Sequence, residues 1–350
     1  MTIKKLRTFL VKYWLYGLLL IALLAGALFW WIQPTLLQQF VNAYDKAGTE
    51  KREVFETFLP VLGVDVLLDF VETRFPQCHS QAHELGRTIF SQNTSLELAL
   101  DMCSHRCTSG CMHGVVLEAF REKTFNEVSS QLNDYCSLDQ MANQYKPGNC
   151  AHSLGHALMF AAQYDIEKTL RGCEQFQLPA MRYYCATGSY MEFFSSGNSQ
   201  ARASFHDPCD RDDTYPAACY RYRLLELMVV FGEGWLQEKL ENIVSECTKL
   251  TALARWGCFS GLGNAARTVA MKHPDRLRQF CSHGDLTDQI MCVEGAIEKW
   301  TDYDIQQARD ACLQFDSPLA QVCVEATQNG MYHLDKATLK YYLSDESNVR

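Results

Sequence analysis

The chain has 350 residues, a formal net charge of −9, 47% hydrophobic residues and 16 cysteines. The acidic balance disfavours binding to nucleic acid or anionic lipid, because their phosphates attract basic surfaces. So many cysteines indicate a compartment in which disulfides persist, such as a periplasm or a secretory lumen.

An uncharged apolar run, YWLYGLLLIALLAGALFWWI, occupies residues 13–32. As a helix that rises about 1.5 Å per residue it would span roughly 30 Å, the hydrocarbon thickness of a bilayer. Aromatic residues lie at both of its ends, as is usual at membrane interfaces. Four basic residues precede it, namely Lys4, Lys5, Arg7 and Lys12. This pattern predicts one transmembrane helix with its N-terminus in the cytoplasm.

The bulky residues at the end of the run argue against signal-peptide cleavage. We therefore expect a cytoplasmic segment at 1–12, an uncleaved anchor at 13–32, and every residue from about Gln33 onward outside the cytoplasm. If the source is bacterial, that compartment is the periplasm. The outer part carries 28 positive and 41 negative charges, a formal balance of −13.

All 16 cysteines follow this run, and from residue 136 onward they form six close pairs with separations of 10 to 14 residues. The pairs are Cys136 with Cys150, Cys173 with Cys185, Cys209 with Cys219, Cys247 with Cys258, Cys281 with Cys292, and Cys312 with Cys323. Counted from Cys111, the second cysteine of each pair follows the previous one after 31 to 39 residues. This spacing indicates a structural repeat. Helical patterns alternate with short breaks that contain Pro, Gly, Asp or Asn. We predict αα-hairpins in which a cysteine near the end of helix A bonds one in an early turn of helix B, each bond contributing about 3 kcal/mol.

The predicted fold is all-α, with a single N-terminal transmembrane helix followed by a disulfide-stapled αα-hairpin repeat solenoid. A CxxG pattern returns at Cys111, Cys185, Cys258 and Cys292, and its glycine permits two helices to approach closely. The predicted segments are a helical lead-in, histidine-rich repeats, further disulfide-stapled repeats and a C-terminal tail. Their ranges are 33–77, 78–172, 173–335 and 336–350.

The period, the paired cysteines and the helical pattern of residues 95–333 resemble the cysteine-bridged Sel1-like and tetratricopeptide repeat families. The resemblance implies a curved α-solenoid with a concave binding surface, on which a protein partner could bind. It implies no particular chemistry.

Four cysteines remain outside the six pairs: Cys78, Cys103, Cys107 and Cys111. They allow two disulfides with three connectivities, and analogy with the repeats favours Cys103 with Cys111 and Cys78 with Cys107. The alternative is that Cys103, Cys107 and Cys111 line one helix face as thiolates for a soft metal such as Cu(I).

Histidines are concentrated in the first repeats. Two pairs, His79 with His83 and His152 with His156, have the i,i+4 spacing that puts both side chains on one helix face. His113 and His152 each lie second after a B-helix cysteine, about 200° around the helix, so stacked B helices would bring His113, His152 and His156 onto one wall. His79 and His83 lie about 100° to 140° from Cys78, which is out of register with the others.

Imidazole is a common ligand of zinc, copper, iron and nickel, so these five histidines are predicted to bind a transition metal. The alternative is that each is a structural histidine bonded to a neighbouring carbonyl or carboxylate. His105 and Glu84 are candidates for an additional ligand or for a residue that orients an imidazole. The sequence HELGR, from His83 to Arg87, resembles the His-Glu motifs of HEAT-repeat di-iron hydroxylases, although only one such pair is present.

Three carboxylates, Glu118, Glu192 and Glu226, each lie seven residues after a B-helix cysteine. Their position, about 340° around the helix, returns them to the cysteine side, away from His113 and His152. We therefore interpret this column as mainly structural, with Glu118 as a candidate near the metal only where the helix is irregular.

These patterns predict a membrane-anchored, extracytoplasmic helical-repeat protein with a histidine-rich site for copper or iron, with zinc as a further option. If it is an enzyme, an oxidase or oxygenase fits several imidazoles best, but the sequence names no base, nucleophile or substrate. Haem held between two histidines is a third option. The competing hypothesis is a metal-free envelope scaffold that binds a protein on its concave face.

Overall fold

The computed structural model describes residues 35–48, 50–75, 78–93, 95–136, 147–195, 204–211 and 214–333, and scattered positions between 14 and 26. Most of the predicted anchor at 13–32 lies outside the described residues, and so does the tail at 336–350. Among the residues that are described, no helix has the length and apolar character needed to cross a membrane.

The described ranges consist of helices and their connections, without a β-strand, which confirms the predicted all-α class. Residues 35–46 are helical and are called α1. The helices that follow are α2 (Lys51–Leu62), α3 (Val64–Arg74), α4 (His79–Asn93), α5 (Leu96–Asp101), α6 (Arg106–Ala119), α7 (Phe125–Ser129), α8 (Leu132–Tyr135), α9 (Pro147–Ala161), α10 (Ile166–Cys173), α11 (Pro179–Ser195), α12 (Pro216–Phe231), α13 (Glu233–Glu238), α14 (Leu240–Lys249), α15 (Ala252–Ala270), α16 (Arg276–Cys281), α17 (Leu286–Trp300), α18 (Ile305–Cys312) and α19 (Leu319–Asn329).

The chain forms two compact units, which divide after Phe70. The first unit has an aromatic core, in which the Phe40 ring lies 5.8 Å from that of Phe55 and 4.9 Å from that of Phe70. The Tyr44 ring lies 5.5 Å from Phe55 and 5.1 Å from Phe70. Tilted and edge-to-face contacts at these distances are favourable, so they hold α1, α2 and the first part of α3 together.

Eight disulfides staple the second unit, and no described cysteine is free. The six close pairs are bonded as their spacing predicts, and the four remaining cysteines pair as the analogy with the repeats favours. The bonds are Cys78 to Cys107, Cys103 to Cys111, Cys136 to Cys150, Cys173 to Cys185, Cys209 to Cys219, Cys247 to Cys258, Cys281 to Cys292, and Cys312 to Cys323. With every sulfur bonded, Cys103, Cys107 and Cys111 offer no thiolate to a soft metal, so that alternative is wrong.

The positions of the bonded cysteines follow the predicted hairpin in most repeats. The second members Cys150, Cys219 and Cys323 lie in the first turns of α9, α12 and α19, as predicted for helix B. In α10, α14, α16 and α18 the first member lies in the last turns of a short helix, as predicted for helix A. Cys209, the partner of Cys219, instead lies in a turn, because the surrounding HDPCDRDD is rich in turn-forming Asp and Pro. Helix A is therefore absent from that repeat within the described residues.

Each long helix packs beside the next one in the order α4, α6, α9, α11, α12, α15, α17 and α19. Three of these contacts bring backbone directly against backbone at paired glycines. A Cβ added at any of the six glycines would overlap a carbonyl oxygen of the neighbouring helix. The pairs are Gly86 with Gly114 (α4 and α6), Gly155 with Gly188 (α9 and α11), and Gly263 with Gly295 (α15 and α17).

The last described residues return to the first half of the unit. The Tyr184 hydroxyl donates a hydrogen bond of 2.9 Å to the carbonyl oxygen of His333, and the Tyr332 ring lies 5.6 Å from that of Tyr184. The chain therefore places Tyr332 beside α11, although α19 and α11 are far apart in sequence.

Because the Gly263 Cα faces the Cys292 carbonyl, we expect Gly263→Ala to lower the free energy of unfolding by about 1–3 kcal/mol, the usual cost of overpacking. Thermal unfolding of the full chain measures this. Gly234→Ala in α13 is the control, because its added methyl meets no atom within 4 Å and Ala is the better helix former. A Gly263→Ala chain that melts with the parent would contradict the close contact of α15 and α17.

Candidate metal centre

The five predicted ligands converge from three helices. His79 and His83 lie on α4, His113 on α6, and His152 and His156 on α9. Ring centroids of neighbouring members are 4.5 to 5.6 Å apart. They form two groups of three, His79 with His83 and His113, and His113 with His152 and His156. Within each group, one nitrogen from each ring lies within 4.8 Å of the others, so each group can hold a metal ion.

Helix geometry and glycine packing explain this convergence. The i,i+4 spacing puts both histidines of a pair on one face of their helix. Gly114 of α6 lies against the carbonyl of His83, and Gly188 of α11 lies against the carbonyl of His152. Two of the close helix contacts therefore occur at the histidines themselves, and a larger side chain at either glycine would push the rings apart.

The cluster is almost sealed from solvent. His113 and His152 are 0% exposed, His156 is 1% exposed and His79 is 8% exposed, while His83 is partly buried. Burial of a polar ring is costly unless its nitrogens find partners, so the contacts of each nitrogen decide what the cluster can bind.

His79 has a fixed tautomer. Its Nδ1 lies 2.9 Å from the carbonyl oxygen of Cys107, which only accepts, so Nδ1–H is the donor and Nε2 carries the lone pair. The Thr108 hydroxyl donates to the same carbonyl at 2.7 Å. Cys107, Thr108 and Ser109 all have left-handed φ angles, of 52°, 53° and 60°. Such a conformation is strained for a β-branched residue like Thr108, and it aims the Cys107 carbonyl at His79.

His152 is fixed in the same way by a threonine. The Thr187 hydroxyl donates to the Tyr184 carbonyl at 2.6 Å, which leaves its oxygen to accept from His152 Nδ1 at 2.8 Å. The proton of the neutral ring is thus on Nδ1, and Nε2 again carries a lone pair.

His156 donates from Nδ1 to the Glu192 carboxylate at 2.9 Å, and the Tyr164 hydroxyl donates to the other oxygen at 3.3 Å. Burial alone would raise the pKa of Glu192, but the hydrogen bond and charge of His156, with Arg87, lower it. Glu192 is therefore ionised at neutral pH, and it accepts from His156 Nδ1, which leaves Nε2 directed at His152.

His113 lies between the two pairs and belongs to both groups. Its Nε2 lies 2.7 Å from Asn149 Oδ1, an acceptor, so Nε2 carries the proton. Its Nδ1 is buried and has no hydrogen-bond partner among the described residues. A buried lone pair without a partner is costly, and a bound cation would remove that cost.

The facing nitrogens of each histidine pair lie at the spacing of metal ligands. His152 Nε2 and His156 Nε2 are 3.2 Å apart, and His79 Nε2 and His83 Nε2 are 2.9 Å apart. Two nitrogens bound to one ion at about 2.0–2.1 Å, with an angle of about 90–110° between the bonds, lie about 2.9–3.4 Å apart. Each pair thus has the geometry of two ligands on one ion.

The electrostatic environment keeps the rings in the form that binds metal. Burial first, then nearby positive charge, lowers the pKa of His79 to about 3. Burial followed by the neighbouring imidazoles lowers the pKa of His83, His113 and His152 well below the usual value. These rings are neutral at pH 7, so their lone pairs are available to a cation.

Tyr332 lies against the cluster, with its ring 4.8 Å from that of His152 and 6.3 Å from that of His113. Burial, followed by Tyr222 and Asp302, raises the pKa of Tyr332 well above its ordinary value. Its phenol therefore stays protonated, and the returning end of the chain adds a neutral ring to the shell around the histidines.

Three further predicted residues lie elsewhere. Glu84 forms an ion pair with Arg87 at 3.7 Å, with 38% of its side chain exposed. Glu118 pairs with Arg121 at 3.3 Å. His105 precedes α6, where its Nδ1 lies 3.2 Å from the Ser109 hydroxyl.

The expectation that Glu192 points toward its own disulfide and away from the histidines is wrong, because its carboxylate contacts His156. The predicted azimuth refers to Cys185, but the partner of Glu192 is His156, on the neighbouring helix α9, which packs against α11. The orienting partners Thr108, Asn149 and Thr187 were not predicted from the sequence. Thr187 lies second after Cys185, the position that histidines occupy in two other repeats, so the repeat register could have identified it.

No known protein family, curated protein or solved structure matches this chain. Its function is therefore argued from the site itself.

The lowered histidine pKa values predict a pH-dependent stability for the metal-free chain. Unfolded histidines titrate near pH 6.5, whereas the buried ones stay neutral, so below about pH 6.5 the unfolded state binds more protons. Each such histidine should remove up to about 1.4 kcal/mol of unfolding free energy per pH unit, and for His79 the loss continues down to about pH 3.

Denaturation in the presence of a chelator at pH 6.5 and 5.0 measures this slope. His113→Gln should reduce it by about one proton, whereas His273→Gln, at an exposed position outside the cluster, should leave it as in the parent. Equal slopes for His113→Gln and the parent would show that His113 is not held neutral.

Proposed function

We propose that the protein binds a transition metal ion through His79, His83, His113, His152 and His156. The observation that carries this proposal is the set of hydrogen bonds that occupies the outward nitrogen of His79, His152 and His156 and leaves the inward nitrogen facing the cluster. Structural histidines need partners for both nitrogens, whereas metal ligands use one nitrogen for the metal and the other for an orienting acceptor. The carbonyl, the hydroxyl and the carboxylate found here are such acceptors.

One bound ion is the simplest stoichiometry. His113 belongs to both groups, but Asn149 takes its Nε2 and leaves a single nitrogen, Nδ1, for a metal. The ion would therefore lie beside His113, and the α4 and α9 pairs would supply the remaining nitrogens.

The donor set favours copper or iron, with zinc as a further option. All the candidate donors are imidazoles, and neutral imidazole suits each of these three metals. Haem fits less well, because two axial nitrogens bound at about 2.0 Å on opposite sides of an iron are about 4 Å apart with a macrocycle between them. The paired nitrogens here are only 2.9 and 3.2 Å apart.

Redox chemistry on a small substrate is the enzyme activity that we propose for such a centre. Several imidazoles around copper or iron, enclosed by protein, are suited to an oxidase or oxygenase. The bound metal would supply the electron transfer. The residues described above would hold it, fix the imidazole tautomers and exclude water.

We also propose that the protein is anchored in a membrane by residues 13–32, with its N-terminus in the cytoplasm and its main part outside. The length of the apolar run and the four basic residues before it support this topology. The eight disulfides support an oxidising compartment, which is the periplasm if the source is bacterial.

A second candidate function is a scaffold that binds a protein partner. The observation that favours it is an apolar surface at the end of α12, where Val229, Val230 and Phe231 are 55%, 46% and 52% exposed. Exposed apolar patches often mark binding surfaces. Under this alternative the histidine cluster would be purely structural.

Elemental analysis of the purified full chain distinguishes the two functions. We expect near-stoichiometric copper, iron or zinc in the parent and its loss when His152→Ala and His156→Ala are combined, because that variant lacks two of the five ligands. The combination of His273→Ala and His283→Ala is the matched control, since both histidines lie outside the cluster, and it should keep the metal. Circular dichroism checks that each variant is folded. A parent that holds no metal, even after reconstitution with each ion, would favour the scaffold.

A further inference from the structure

A cavity of about 680 Å³ adjoins the candidate metal centre. His79 and Tyr222 both line it, and the Tyr222 ring lies 6.0 Å from that of His152. His79 is one of the five proposed ligands, so a molecule in this cavity would lie beside the metal. The volume is ample for a small organic molecule.

Two buried cations lie in the cavity wall. Lys299 is 4% exposed and Arg267 is 2% exposed. Lys299 forms no hydrogen bond or ion pair within the described part of the chain, and its Nζ lies 5.9 Å from the Tyr222 ring. Arg267 has a long contact of 3.4 Å to the sulfur of Met271 and a stacking contact of 4.7 Å with the Tyr303 ring. Its Nε has no hydrogen-bond partner among the described residues.

Among the described residues, no carboxylate pairs directly with either of these two basic groups. The neighbouring Arg221 is neutralised by a buried ion pair with Glu298 and also donates to the Ser260 hydroxyl at 3.0 Å. The carboxylate that lines the cavity is Glu226, whereas Lys299 and Arg267 are two basic groups. Buried cations without partners are costly, and an anion bound between them would offset that cost.

Apolar side chains form much of the remaining wall, among them Phe194, Val229 and Val230. Phe194 is 2% exposed, whereas Val229 and Val230 are about half exposed and lie toward the open side. The cavity thus combines cations near its buried end with a hydrocarbon surface toward its mouth. That combination fits a molecule with an acidic group and an apolar body.

We propose that this cavity binds an organic acid with an apolar body, whose carboxylate contacts Lys299 and Arg267 and whose body packs on Phe194, Val229 and Val230. The claim that such an acid is the substrate of the metal centre rests on the proposed function. The claim that the cavity binds such an acid does not.

The surroundings of Lys299 agree with such a ligand. Burial, followed by the charges of Arg267 and Arg221, lowers the pKa of Lys299, while Asp302 has a weaker, opposite effect. An adjacent carboxylate would favour the charged form of Lys299.

The test compares two probes of the same shape, 3-phenylpropanoate and its neutral amide 3-phenylpropanamide. Each is titrated calorimetrically into the full chain, kept metal-free with a chelator so that no metal can bind the carboxylate. We expect the acid to bind at least about tenfold more tightly than the amide, because a hydrogen bond to a buried charge is worth at least that factor.

Lys299→Met removes one of the two basic groups at similar length and should reduce the preference for the acid over the amide, with Arg267 alone left to contact the carboxylate. Lys299→Arg, which retains a positive charge, should retain the preference for the acid. Lys249→Met is the matched control, since Lys249 is exposed and pairs with Glu246, and it should bind like the parent. Equal affinities for acid and amide in the parent, or an unchanged preference in a folded Lys299→Met, would overturn the proposal.

The two proposals can fail separately. A chain without metal that still prefers the acid would reject the metal centre and keep the acid-binding cavity. A chain that holds metal but binds acid and amide equally would keep the metal centre and reject this substrate class.

Discussion

Direct contact between the backbones of neighbouring long helices positions the polar interior of residues 71–333. At Gly114 and Gly188 the adjoining carbonyl belongs to a histidine of the cluster, so two of the close helix contacts lie at the site. Glycine is required there because any Cβ would overlap that carbonyl. The disulfides tie each short helix or turn to the long helix that follows, which leaves the opposite faces of the long helices to meet one another.

The cluster is organised by which nitrogen of each ring is occupied. Acceptors outside the cluster bind the outer nitrogens of His79, His152 and His156, and Asn149 binds one nitrogen of His113. Burial lowers the pKa of His79, His83, His113 and His152 and keeps these four rings neutral. Five imidazoles are costly to concentrate in an apolar interior, and the inward nitrogens of the two pairs lie only 2.9 and 3.2 Å apart. The same feature follows directly if they bind a cation.

The sequence predicts the local parts of this arrangement. Cysteines 10 to 14 residues apart identify their partners because short loops close at low entropic cost, and the i,i+4 histidines share a face by helix geometry. The disulfides of Cys150, Cys219 and Cys323 each close such a short loop, and each forms as predicted.

Contacts between helices are harder to predict. His79 and His83 are out of register only when their direction around the helix is measured from Cys78. Helix α4 packs on α6 through the face that carries Gly86, and this contact sets the direction of both histidines. Glu192 and Tyr332 escaped prediction for the same reason, since each reaches the cluster from an element whose position only the packing determines.

Anomalous diffraction from crystals of the metal-loaded full chain, recorded at the absorption edge of the bound element, would locate the ion directly. We expect one strong peak within about 2.0–2.2 Å of His113 Nδ1 and of the Nε2 atoms of the α4 or α9 histidines. A folded chain whose anomalous peaks all lie outside the cluster, or whose inward histidine nitrogens hydrogen-bond to water or to each other with no metal between them, would contradict the metal centre.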